Sequence, residues 1–331
     1  MIINKICILG GSGFVGRTLA NRLTKDGYQL RVLTRDREAN RNDLILLPTL
    51  ELNEANIHDP EQLKQQFAGC DAVINLVGIL NERGNSGAGF RFVHVDLAEK
   101  VIEACQANGI RRYLHMSALN ADAKKGPSHY LRTKGEAEDR VHAAQGIAVT
   151  SFRPSVIFGA NDSFFNRFAG LLKLTPVVFP LACAQARFAP VYVEDVAEAF
   201  SRALTDPDSY GQRYELCGPK EYTLLQLVRY TVRCTGRKRA IIALSDIVSR
   251  VQGTLFDVAG FAFNILGLEK PFSTDNYLST KVDSVCKCND LQILGITATA
   301  LEGVVPHYLS KQLQRTHYND YRQYPRRNNE L

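Results

Sequence analysis

The stretch Ile2-Ile3-Asn4-Lys5-Ile6-Cys7-Ile8-Leu9-Gly10-Gly11-Ser12-Gly13-Phe14-Val15-Gly16 runs an apolar segment straight into a glycine-rich turn. The apolar part reads as a buried β-strand. Beyond the turn, Leu19, Ala20 and Leu23 recur at helical spacing within Arg17 to Lys25. Strand, glycine turn, helix is the order that sets a helix N-terminus against a dinucleotide pyrophosphate. Gly10 permits the tight turn, Gly13 lets the backbone approach phosphate, and Gly16 lets the helix pack close to the sheet. Ser12, Phe14 and Val15 complete the candidate binding turn.

Outward from this turn, strand-like runs alternate with helical ones, which implies a parallel sheet covered on both faces. Strands are expected at 2–9, 28–34, 49–53, 71–77, 111–116 and 147–152, and helices at 14–26, 60–68, 92–108 and 128–144. Gly84 to Gly89 reads as a flexible loop. After Arg153-Pro154 the rhythm changes to helices at 164–174, 191–204 (entered by a short strand) and 223–234, with a strand at 240–244. The expected fold is α/β, a Rossmann doubly wound parallel sheet with a smaller C-terminal domain. Residues 1–155 form the nucleotide-binding part, with 188–206 returning to it. Residues 156–187 and 207–315 form the smaller domain, and 316–331 a tail.

The chain has 331 residues, 45% of them hydrophobic and 22% charged, which suits an ordinary two-domain globular protein. The net charge of +6 is mild, and no sustained basic stripe points to nucleic acid. Eight dispersed cysteines form no CxxC, only Cys286 and Cys288 at CxC spacing, and no signal peptide precedes the first strand. Reduced thiols in a bacterial cytoplasm, or in a processed organellar protein, are therefore expected. Seven scattered histidines give a metal site no support. Val251 to Leu268 is the most apolar long window, but it holds Gln252, Asp257 and Asn264. It reads as a packed helix of the second domain, with membrane-surface contact as the alternative.

The end of the second strand discriminates between cofactors. NAD-preferring folds place an acidic residue there to hold the ribose 2′-hydroxyl. Here that place is Thr34, followed by Arg35, whose guanidinium can pair with a 2′-phosphate. Asp36 falls one step further on. This pattern favours NADP(H) over NAD(H), unless Arg35 and Arg37 are merely solvated loop charges.

Tyr130-Leu131-Arg132-Thr133-Lys134 is a YxxxK on the helix after the fifth strand, so both functional side chains project from one helical face. Lys134 can bond a nicotinamide ribose and lower the Tyr130 pKa for proton exchange near neutrality.

With these residues the chain resembles the extended short-chain dehydrogenases/reductases, of NAD-dependent epimerase/dehydratase type. Within them it is most similar to the atypical branch named after the nucleotide-binding alpha-subcomplex subunit 9 of respiratory complex I. The matching stretches are Gly10 to Gly16, Asn75-Leu76-Val77-Gly78 with the preceding Val73-Ile74, Tyr113 to Leu119, and Phe152 to Gly159. Pro190 to Ala197, Gly218-Pro219 and Tyr222-Thr223 follow, with a weaker echo in Ser273-Thr274-Asp275-Asn276.

The resemblance carries further contacts. Asn56 and Ile57 stand where the family has an Asp-Leu pair beside the adenine. Asn75, Leu76, Val77 and Gly78 line the ribose, Met116 and Ser117 stand at the fifth strand's end, and Pro154 and Val156 lie beside the nicotinamide. Val77, Pro154 and Val156 read equally well as core residues, and Asp195 as a helix cap. Competent members place a serine or threonine hydroxyl just after the fifth strand, and aligning on Ser117 puts Ala118 there. A frame shifted by one gives that role to Ser117. Losing a positioned donor costs on the order of 100-fold or more in other enzymes. The implied function is a redox-linked or structural NADP(H)-binding protein connected with complex I or quinone metabolism, turning over weakly or not at all. Two rivals stay open: an active NADP-dependent reductase, epimerase or dehydratase using Tyr130 and Lys134, and a regulator that senses the NADP(H) pool. Implied partners are the dinucleotide and a respiratory complex or membrane surface.

Overall fold

The computed structural model describes residues 2–44, 46–82, 84–259, 270 and 272–310. Six apolar segments become strands β1 (Lys5–Leu9), β2 (Gln29–Thr34), β3 (Leu50–Glu54), β4 (Ala72–Asn75), β5 (Arg112–Met116) and β6 (Ala148–Pro154). With a seventh strand, Arg213–Leu216, they pair in parallel in the order β3-β2-β1-β4-β5-β6-(213–216). The order reverses between β1 and β4, so the crevice of a doubly wound sheet opens there, outside the strands' carboxyl ends.

Side chains alternate across the sheet, and each face builds its own core. Ile6 and Ile8 of β1 pack with Leu19 and Leu23 of helix α1 (Phe14–Lys25). Cys7 and Leu9 face the other way, toward Leu63, Phe67, Val101 and Val141. The polar helix α2 (Arg37–Leu44) lies on the β3 side. Helices α3 (Pro60–Phe67), α5 (Leu97–Ala107) and α6 (His129–Ala143) supply the second face, and a short α4 (Ala88–Arg91) precedes α5. Further along come α7 (Phe165–Leu174), α8 (Val193–Thr205), α9 (Leu224–Cys234) and α10 (Asp246–Val258). Helix α8 returns to the sheet, where its Phe200 and Leu204 share the core of α1. Phe158, Phe165, Leu227, Leu301 and Val305 form a separate apolar cluster, extended by a second around Leu172, Phe179 and Val228.

Several expectations need correction. The seventh strand is only Arg-Tyr-Glu-Leu, with two apolar residues, and was not expected. The helix expected over 92–108 is interrupted by a π-helical turn, Phe92–Asp96, before α5. The 84–89 loop is tied down, because the Glu82 carboxylate accepts from the Gly87 and Gly89 N–H groups at 2.7 and 2.9 Å. Asp195 does not cap its helix: its carboxylate accepts from the Thr299 N–H and hydroxyl. The expected window 251–268 is described only to residue 259, and there Val251, Leu255 and Val258 point outward while Phe256 is half-buried. The tail beyond residue 310 lies outside the described residues.

The thiols also differ from expectation. Cys217, just after the seventh strand, is disulfide-bonded to Cys286, with their Cα atoms 6.0 Å apart and a sequence separation of 69. A pair that distant leaves no local spacing to read. Cys7, Cys70, Cys105, Cys183, Cys234 and Cys288 remain thiols.

Arg112 is the most costly buried group in the sheet. Its guanidinium donates to the carbonyls of Leu204, Ala148 and Ala203 and to the hydroxyls of Thr150 and Ser209. Burial pulls its pKa down to about 10. Arg112→Met strands those acceptors in a dry interior and should lower unfolding stability by about 3 kcal/mol or more in urea titration. A loss below about 1 kcal/mol would mean that the network contributes little to joining α8 to β5 and β6.

Candidate functional site

The glycine turn is built from its own close contacts. Gly10 takes φ +76°, a left-handed conformation that disfavours side chains, and its carbonyl accepts from the Gly13 N–H at 3.1 Å. A Cβ at Gly16 would lie 2.3 Å from the Gly10 oxygen and 2.5 Å from the Gly11 Cα. Gly16 therefore lets α1 pack on its own turn, not on the sheet as expected. A Cβ at Gly13 would meet only the Gly10 oxygen, at 3.2 Å, and otherwise open space. Gly13 is the N-cap of α1, with no side-chain cap and no acidic residue in the first turn. The N–H groups beginning α1 thus face the crevice without a protein carboxylate, a fit for a pyrophosphate. Ser12 is half-buried in the same turn, while the Phe14 ring packs toward Gly159 and Val15 toward the core.

At the end of β2, Thr34 is buried and its hydroxyl donates to the Asp36 carbonyl. The Asp36 carboxylate accepts from the Ala39 N–H at 2.9 Å, at the start of α2. Arg35 is exposed, and its charge, after burial and Lys100, adds to the lowering of the His58 pKa. After β3, Asn56 is exposed with its side chain accepting from the His58 N–H, and Ile57 leans on the core.

The 75–78 segment follows β4. Asn75 turns inward, donating to the Tyr113 hydroxyl and accepting from the Val77 N–H. Its side chain shapes the turn, and Leu76, Val77 and Gly78 are left along the crevice. A Cβ on Gly78 would lie 2.9 Å from the Lys134 Nζ. That ammonium donates to the carbonyls of Met116, at 3.0 Å, and Val77, at 3.4 Å, bridging the ends of β5 and β4. Burial pulls the Lys134 pKa down to about 8, with Glu138 opposing the shift. Pro154 and Val156 stand half-buried at the end of β6 and beyond it, their carbonyls bonded to the Leu119 and Val191 N–H groups.

Tyr130 sits one turn before Lys134, edge-on to the rings of Phe90 and His94. Burial, and then the Asp275 carboxylate, push its phenol up to about 12. This is opposite to the lowering expected from Lys134. His94 bonds the Ile79 N–H through Nε2 and the Thr133 hydroxyl through Nδ1, joining the 75–79 segment to α6. Burial, followed by the charge of Lys134, holds His94 down at about 2, so it is neutral.

The Ser117 hydroxyl is engaged by a carboxylate. Ser117 is buried and donates to Glu138 at 2.6 Å. Glu138 is itself bonded to Arg153 and Arg213 at 2.9 and 2.8 Å. Ser117 thus spends its proton on a structural ion cluster. Ala118, the next residue, contributes only a methyl group, packed with Ala121, Leu131 and Tyr130.

Asp275 was part of a motif noted without a role. Its carboxylate accepts from the His129 and Tyr130 N–H groups, at 2.7 and 3.2 Å, capping the helix that carries the YxxxK. His94 and Glu138 had no signal in the sequence, since each gains its role from contacts made across the fold.

A parallel doubly wound sheet with a glycine turn at its switch point defines a nucleotide-binding Rossmann protein. The chain belongs to the NAD dependent epimerase/dehydratase family, whose model matches residues 6–217. It is 30% identical over 301 residues to the mitochondrial NADH dehydrogenase (ubiquinone) 1 alpha subcomplex subunit 9 of Mus musculus, covering 89% of this chain and 77% of that protein. It is 28% identical to a ceramide reductase of Caulobacter vibrioides, over 76% of this chain and 77% of the other. An NADPH-dependent quinone oxidoreductase of Escherichia coli, solved with NADPH, shares the fold at a TM-score of 0.68 and 18% identity, covering 94% of this chain and 99% of that one.

Ser117→Ala should destabilise the fold by about 1.5–3 kcal/mol, the worth of a hydrogen bond to a charged group, and leave nucleotide affinity unchanged. Chemical denaturation and a binding titration on the same sample check both. A stable variant that binds poorly would place the hydroxyl in the crevice.

Proposed function

We propose that this chain binds NADP(H) and turns it over weakly or not at all, serving as a redox-linked or structural component connected with respiratory complex I or quinone metabolism. The observation that supports the second half is the Ser117 hydroxyl donating to Glu138, beside an Ala118 that offers only a methyl group where the family's hydroxyl would stand. Residues 1–155 with 188–206 would hold the dinucleotide, and 156–187 with 207–315 would roof the cleft. The pyrophosphate fits the turn at Gly10, Ser12 and Gly13 and the start of α1. Asn56 and Ile57 stand where the adenine would lie, and Leu76, Val77 and Gly78 where the ribose would. Lys134 and Tyr130 would meet the nicotinamide ribose, and Met116, Pro154 and Val156 the ring. The nicotinamide, when bound, supplies hydride chemistry. For NADP(H) over NAD(H) the support is Thr34 in the acidic residue's place, exposed Arg35, and Asp36 engaged with α2.

The complex I connection rests on the similarity to the mouse subunit over most of both chains. A cytoplasmic protein, peripheral to a membrane, is the location we propose with it. Among the described residues no helix is long and apolar enough to cross a membrane. An active reductase is the second reading, favoured by the intact Tyr130/Lys134 pair and the similarity to a ceramide reductase.

Titration calorimetry decides the cofactor. NADPH should bind at least about tenfold more tightly than NADH, a difference of about 1.4 kcal/mol. Arg35→Ala should bring the two affinities together with NADH unaffected. Equal affinities in the wild type would contradict the proposal. In the same preparations, quinones and aldehydes should elicit little NADPH oxidation, and robust turnover lost in Tyr130→Phe would favour the reductase.

A further inference from the structure

We infer that α10, together with the paired strands Val178–Leu181 and Ala240–Ala243, forms a docking face for an anionic lipid surface. The helix is amphipathic in the reverse sense for a globular protein. Its buried positions are the small ones, Ser249 and Gly253. The Ser249 hydroxyl donates to the Ser245 carbonyl and accepts from the Cys183 N–H. A Cβ on Gly253 would lie 3.2 Å from the Ser273 backbone. Its aliphatic positions face solvent: Ile247 is 77% exposed, Val251 51%, Leu255 64% and Val258 78%, with Val248 beside them. These four recur at intervals of four, four and three residues, one continuous stripe of the helix.

The strand pair that leads into α10 adds further exposed apolar side chains. There Phe179 and Ile241 turn toward the core, and Val178, Pro180, Ala240 and Ile242 turn outward. Leu174 and Val177 extend the surface and are 80% and 66% exposed. A stripe of exposed aliphatic side chains along one face of a helix, with more on the strands leading into it, marks an interaction surface.

Charge decides between occupants. Within 235–259, Lys238 and Arg250 are exposed, Arg237 is half-exposed and Arg239 donates to the Leu172 carbonyl, against two acidic residues. Both acids are engaged: Asp257 with Lys270 and the Thr274 N–H, Asp246 with Lys281 and the Tyr277 hydroxyl. Lys173 adds a further exposed cation beside Leu174. Aliphatic depth with a basic flank is the chemistry of an interfacial helix on anionic lipid. In sequence, residues 258–268 continue with no charged side chain.

This inference deepens the peripheral-association part of the proposed function. The face is also close to the candidate site: Asp257 of α10 holds Thr274, and the neighbouring Asp275 caps the helix of Tyr130. The test is flotation of the full chain with vesicles of phosphatidylcholine plus phosphatidylglycerol, against phosphatidylcholine alone. The wild type should float with the anionic vesicles and stay largely behind with the neutral ones. Val251→Ser combined with Leu255→Ser should abolish flotation. Lys238→Glu and Arg250→Glu should each weaken it by about fivefold. NADPH affinity, measured on every variant, should stay at the wild-type value and shows that the variants fold. No vesicle binding by a wild type that binds NADPH overturns this inference while leaving the cofactor reading intact. Equal flotation with neutral vesicles overturns it as well, and so does a solution dimer that Leu255→Ser dissociates, since a second copy would then cover the face.

Discussion

The helix that begins the nucleotide site can start where it does only because two backbone segments touch without side chains between them. Gly16 lies against Gly10 and Gly11 so closely that any Cβ would overlap the Gly10 oxygen. That contact brings α1 back over its own turn and aims its first N–H groups at the place where the strand order reverses between β1 and β4. The crevice, its polarity and its affinity for an anion all derive from this placement. Gly13 then leaves the mouth of the turn open, and the core on that face follows from α1 meeting α8 over Ile6 and Ile8.

The opposite wall depends on α6. One turn of this helix carries Tyr130 and Lys134, the next carries Glu138, and Asp275 caps its start from a segment far along the chain. Lys134 occupies carbonyls at the ends of β4 and β5, so its ammonium is positioned by the sheet. Glu138 draws in Ser117, Arg153 and Arg213 and turns a potential donor into part of the scaffold. The helix that positions the tyrosine and lysine also removes the serine.

What the sequence made legible follows physical range. Strands β1, β2, β4, β5 and β6 are largely buried, so their apolar runs stand out, whereas the edge strand β3 shows only the alternating Leu50 and Leu52; the helices between them keep a helical period. Helix α2 buries only Leu44, and the 213–216 strand shows two apolar residues, so neither announces itself. Gly10 and Gly13 were readable because turn geometry is local. Gly16 was found at the right position but for the wrong contact. The Cys217–Cys286 bond, the Asp275 cap, the inward turn of Asn75 and the Glu138 cluster join residues far apart in sequence, and no spacing encodes them. The direction of the Tyr130 shift was misjudged because burial and Asp275, both properties of the folded chain, outweigh the lysine one turn away. The window 251–268 reads from composition as a packed helix, and that Val251, Leu255 and Val258 face solvent comes only from the fold.

The central claim is that a nicotinamide dinucleotide lies on the α1 turn and that no hydroxyl donor stands beside Tyr130. A crystal structure of the chain with NADPH tests both at once. The account predicts the pyrophosphate at the Gly13 end of α1, the nicotinamide ribose on Lys134, and the Ala118 methyl group facing the ring with Ser117 still bonded to Glu138. A Ser117 hydroxyl released from Glu138 and turned toward the nicotinamide, or a cofactor bound away from the glycine turn, would contradict it.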